Sequence, residues 1–187
     1  MTWNSDFTSR FLRNLGKAPE AASCWTTRWD PRAWTRILTG AVRAAIPRRA
    51  YLKVAAKGFS SAEAYGRSEY LTIDVMAYDN KKSGGWSTPV AVVEMENYGL
   101  EKCKYCAWKV LSVRADHRVL ICNVDTQRQY KSYGYAESRD KLREALRPVV
   151  RGTGGQPLLV LAGDWSATPA AGGWSDVFKP ILVRSGV

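Results

Sequence analysis

Nowhere does this chain string together the roughly 18 to 20 apolar residues that a membrane-crossing helix requires, which argues against an integral helical membrane protein. Met1 to Pro19 interleaves Asp6, Arg10, Arg13 and Lys17 with scattered apolar side chains and carries no signal-peptide core, so a cytoplasmic protein is expected. Cysteine is scarce. Cys24, Cys103, Cys106 and Cys122 are the whole supply, and in a reducing compartment disulfides are not expected. Histidine is scarcer still: His117 stands alone, at a predicted helix-to-strand junction rather than in an acidic group, which argues against histidine-driven chemistry. Internal repeats and low-complexity segments are lacking too, and 187 residues suit one domain.

Acidic residues are few beside basic ones. Lys and Arg number 28 against 17 Asp and Glu, a formal net charge of +11. Such an excess favours a polyanionic partner, nucleic acid or an anionic membrane surface, although basic composition also serves solubility. Against that background, three acids stand inside apolar runs: Asp74 in Glu69 to Tyr78, and Glu94 and Glu96 in Pro89 to Glu96. A buried carboxylate costs several kcal/mol unless a positive charge compensates it. A divalent cation is the simplest compensation.

Both runs read as strands. Leu71, Ile73, Val75 and Ala77 alternate with Tyr70, Thr72, Asp74 and Met76, and the second run is β-branched and too short for an independent helix. The polar, Gly-rich Asp79 to Thr88 closes a hairpin between them. Strand side chains alternate with period two, so Glu94 and Glu96 share a face, their Cα atoms about 7 Å apart. A register that puts Asp74 on that face makes a three-carboxylate cluster; the blander alternative is that one or two of these acids face solvent on an edge strand.

Cys103 and Cys106 form a C-x-x-C followed by His117 and Cys122, which raises zinc. Leu100, Cys103, Ala107 and Val110 also make an apolar helical stripe, with Lys102, Tyr105, Lys109 and Ser112 on the opposite face. Cysteine packs well as a small hydrophobe, and the core reading is preferred.

Residues 1–30 are Trp-rich, without clear period, and are expected as a peripheral arm or short helices. Residues 31–187 are expected as a single domain. Asp30 caps and Pro31 opens a helix to Ile46, stopped by Pro47. A short strand over Tyr51 to Ala55 and a linking segment over Gly58 to Ser68 precede the hairpin. A helix from Asn97 or Gly99 to about Asp116 leads to a buried strand, His117 to Val124, whose apolar continuity predicts a parallel partner reached by that helix as a crossover. Tyr135 to Val150 reads as an amphipathic helix, Gln156 to Ala162 as another buried strand, and the tail after Gly172 has room for one more. The result is an α/β fold, a mixed central sheet flanked by helices.

A helix, an acid-bearing strand (Asp74), a hairpin to a strand carrying Glu94-x-Glu96, a helix and a buried strand, over residues 31–124, resembles the PD-(D/E)xK nuclease superfamily, in a Glu-x-Glu variant. The resemblance implies a restriction-endonuclease-like fold with an αβββαβ core and Mg²⁺ or Mn²⁺ held by Asp74, Glu94 and the backbone carbonyl of Met95. It implies phosphodiester hydrolysis on nucleic acid, DNA in the first place. No Pro precedes Asp74, and Glu96 replaces the family's Lys. In some branches that Lys moves to the following helix, which here singles out Lys109, with Lys102 as the substitute and a solvated helix residue as the ordinary alternative. Glu96 then shares the metal or orients water. Glu69 and Asp164 are auxiliary acids outside this set, with an exposed strand end and a turn as their blander accounts. The reading is a Mg²⁺-dependent deoxyribonuclease without a membrane partner, with room for homo-oligomerisation or a larger assembly. The alternatives are an inactive nucleic-acid-binding protein on the same fold and an assembly module that uses exposed Trp residues.

Overall fold

The computed structural model describes residues 2–27, 30–46, 52–56, 73–79, 88–97, 99–124, 135–169 and 173–185. Six strands form one mixed sheet in sequential order: β1 (Leu52–Ala56), β2 (Val75–Asp79), β3 (Pro89–Glu96), β4 (His117–Val124), β5 (Leu158–Asp164) and β6 (Phe178–Val183). The β1–β2 and β2–β3 pairs are antiparallel, β3–β4 and β4–β5 are parallel, and β5–β6 is antiparallel. Parallel neighbours need long connections. The helices α4 (Leu100–Ser112) and α5 (Tyr135–Gly152) supply them.

Each face of the sheet has its own core. On one, Val75, Val93, Val119, Ile121 and Leu161 pack with α1 (Trp3–Gly16), α2 (Ala21–Thr27) and α3 (Pro31–Ala45). On the other, Met76, Val92, Leu120, Cys122 and Val160 pack with α4 and α5. Covering both faces explains why β4 and β5 are apolar almost throughout rather than alternating.

Residues 3–16, expected as an arm or short helices, are a fourteen-residue helix belonging to the first core. Phe7, Phe11 and Leu15, spaced by four on one face, are fully buried. The α3 cap is as expected: the Asp30 carboxylate accepts from the backbone N–H of Arg32 (3.0 Å) and Ala33 (2.9 Å), and Pro31 opens the helix. Trp25, Trp34 and Trp174 are interior, and Trp25 donates its indole N–H to the Ala167 carbonyl at 2.8 Å. Their burial removes them from any surface for bases or subunits. The acid-bearing strand is shorter than expected, with Asp74 in a bend just before the ladder begins at Val75. Glu69, Pro47, Trp29, Trp86 and most of the linking and hairpin segments lie outside the described residues.

Candidate functional site

The register Val75↔Val93 continues to put Asp74 opposite Glu94. Residues opposite each other in an antiparallel pair share a face, here the α4 face, since Met76 and Val92 belong to its core. Two reciprocal hydrogen bonds brace the pair. The Asp74 backbone N–H donates to Glu94 Oε1 at 3.1 Å, and the Met95 N–H donates to Asp74 Oδ2 at 2.9 Å. The N–H and C=O of a strand residue leave on the same side, so the Met95 carbonyl also leaves toward Asp74.

From α4, Lys109 brings its ammonium to 2.9 Å from Glu94 Oε1. The sequence puts Lys109 on the face opposite the apolar stripe, and the structure corrects this: it is 6% exposed and stands beside Cys106 and Val110 against the sheet. The solvated-residue alternative falls with that burial. Lys102, the substitute, is exposed.

Glu96 shares the face of Glu94, and Cys106 touches both. Glu96 Oε1 accepts from the Asn97 N–H at 2.7 Å, and its Oε2 lies 3.7 Å from Cys106 Sγ, the thiol donating. Next to it the Asn123 side-chain amide donates to Asn97 Oδ1 at 2.7 Å. The sequence singled out neither asparagine. Cys106 was read as core alone; its spacing of three from Lys109 on one helix was the signal that it reaches the same acids.

The electrostatics follow from burial. Desolvation, and then the adjacent Asp74 carboxylate, push Glu94 up to about 7, although Lys109 and Cys106 pull it down. Burial alone would lower Lys109, but its hydrogen bond to Glu94 and the charges of Glu94 and Asp74 carry it above the ordinary lysine value. Burial, with Glu94 and Glu96 beside it, pushes the Cys106 thiol far up, so it donates rather than ionises.

Among the described residues, no three His, Cys, Asp or Glu side chains group closely enough to hold a metal. The donors that do converge are the Asp74 and Glu94 carboxylates and the Met95 carbonyl, hard oxygens of the kind that Mg²⁺ and Mn²⁺ take alongside water. In chemical type this set fits such an ion. In this structure the positive charge beside Glu94 is Lys109.

Of the remaining candidates, Cys122 stands opposite Glu96 in the β3–β4 register. His117 opens β4 and stacks on Trp3, with ring centroids 4.0 Å apart. Cys103 and Cys122 are buried in the α4-side core. Asp164 closes a turn, Oδ1 accepting from the Ser166 N–H at 2.9 Å and its hydroxyl at 2.6 Å. Comparison of the chain with protein-family models, with curated proteins and with solved structures gave no match in any of the three.

Proposed function

We propose that the protein is a divalent-metal-dependent nuclease that hydrolyses phosphodiester bonds in DNA, on a restriction-endonuclease-like core formed by α3, β1, β2, β3, α4 and β4. The observation that carries the reading is the meeting of Asp74, Glu94 and Lys109: one carboxylate just before β2 and one on β3, braced by hydrogen bonds, with a buried ammonium from the crossover helix 2.9 Å from Glu94. Antiparallel pairing up to β3 and parallel pairing into β4, bridged by α4, support the same reading.

Asp74, Glu94 and the Met95 carbonyl would hold the metal, which would supply Lewis acidity and lower the pKa of water. Lys109 places a positive charge where negative charge develops on the phosphate oxygens. Glu96, fixed by Asn97 and Cys106, orients the attacking water and accepts its proton. The surplus of basic residues holds the nucleic-acid backbone.

A non-catalytic nucleic-acid-binding protein of the same architecture is the second reading, favoured by one observation: Lys109 already supplies Glu94 with a cation. Cleavage assays over single-stranded and duplex DNA and RNA, with Mg²⁺, Mn²⁺ or chelator, separate the two. Ion-dependent cleavage lost in both Asp74→Ala and Glu94→Ala, with ion binding lost in calorimetry, supports the nuclease. Salt-sensitive binding with no cleavage supports the second reading, and full activity in either variant removes the site assignment.

A further inference from the structure

Helix α4 carries its site residue on one side and two bare aromatic rings on another. Among the described residues, the exposed large apolar side chains are Tyr105 (59% exposed), Trp108 (45%) and Leu182. Tyr105 and Trp108 are one helical turn apart and lie nearly flat to each other, with centroids 5.9 Å apart and planes 24° from parallel. The Tyr105 ring is also 5.7 Å from Lys109 Nζ, the same ammonium that touches Glu94. The ring pair therefore begins at the edge of the carboxylate site.

We infer that Tyr105 and Trp108 are a stacking platform for unpaired bases of a single-stranded nucleic acid whose backbone passes the Asp74, Glu94 and Lys109 site. This rests on the proposed nucleic-acid substrate and narrows it to strands with free base faces. Bases inside a duplex already stack on one another, so the rings offer them nothing. An unpaired base has a π-face that any aromatic ring can meet, whatever the sequence. Charge agrees: Lys102 and Lys104, the latter paired with Glu101 at 2.7 Å, flank the rings on α4 in a chain of net charge +11. A second protein copy is a poorer occupant. The two rings expose on the order of 200 Å², against about 800 Å² per partner in a stable protein interface.

The test measures binding without divalent ion, so that cleavage plays no part. A labelled thymidine oligomer and an abasic oligomer with the same number of phosphates are titrated by fluorescence anisotropy. The native protein should prefer the thymidine oligomer by about 5-fold or more. Tyr105→Ala and Trp108→Leu should each remove most of that preference while leaving abasic binding unchanged, and Tyr105→Phe should keep it. Because both side chains are exposed, circular dichroism should be unaltered in all three. Equal binding of the two oligomers by the native protein, or equal loss for both in the variants, would overturn the platform. So would a change of oligomeric state in sedimentation, which would make the rings a protein contact. The two readings fail separately: base-independent binding with cleavage intact sinks the platform alone, and base-dependent binding without cleavage under any ion sinks the nuclease alone.

Discussion

Lys109 Nζ lies 2.9 Å from Glu94 Oε1, with the two side chains 7% and 3% exposed. A pair so buried repays its desolvation only while both partners are present. Lys109→Met should therefore cost about 3 kcal/mol or more of stability by leaving the two acids uncompensated. Adding Glu94→Gln should recover a large part of it. Urea denaturation of the four proteins gives the coupling, and strictly additive effects would mean that the contact carries no energy.

Stability should also depend on pH through Glu94. Its value rises from 4.5 in the unfolded chain to about 7 in the native one, so the native state holds this proton more tightly. The contribution is fully present below about 4.5 and is lost as pH rises through about 7. It amounts to roughly 3 kcal/mol at most. Metal-free protein should lose stability over that window, and Glu94→Gln should flatten the slope. A native profile flat from pH 4.5 to 7 would show that Glu94 ionises normally.

The division of labour between Lys109 and Glu96 predicts different kinetics. Lys109→Ala should lower the cleavage rate by roughly 10²-fold with little change in substrate affinity, the scale of losing one preorganised charge donor. Glu96→Gln should lower the cleavage rate while leaving ion binding intact, because it removes the proton acceptor. If Glu96→Gln abolishes ion binding instead, Glu96 is a metal ligand.

Gly163 is a packing constraint beside the site. A Cβ there would stand 2.6 Å from Asn123 Oδ1 and 2.7 Å from a Phe178 ring carbon. Gly163→Ala should destabilise by about 1–3 kcal/mol through overpacking and disturb the hydrogen bond from Asn123 to Asn97. Thermal denaturation checks the first effect. An unchanged melting temperature would mean that the Phe178 ring moves aside freely.

What could be read from the sequence followed how locally each element is determined. The helix opened by Asp30 and Pro31 carries its own cap and stripe, and β3 and β4 carry continuous β-branched or apolar runs, so their ranges emerge from the residues alone. The acids at 74 and 94 were visible because charges inside apolar runs are costly. The position of Lys109 was not, because a helical wheel sorts it with Lys102 and Tyr105, and only a buried Glu94 on a neighbouring strand draws it inward. The first helix was missed although Phe7, Phe11 and Leu15 repeat every four residues; the arginines and polar residues between them masked a narrow stripe. The late start of β2, at Val75 opposite the last residue of β1, is not encoded in its own alternation.

Strand β3 pairs antiparallel with β2 up to Val93 and parallel with β4 as far as Glu96, and both its faces lie under helices. Backbone amides in such a strand exchange with solvent only when the whole domain opens. The backbone at Glu94 and Met95 is held by its pairing with β4 and, at the Met95 N–H, by the Asp74 carboxylate. For the proposed ion to enter beside Glu94, the adjustment falls to the lysine stem reaching down from α4, which must first leave a buried ion pair. Ion entry and loss of the Glu94–Lys109 contact would then be a single event.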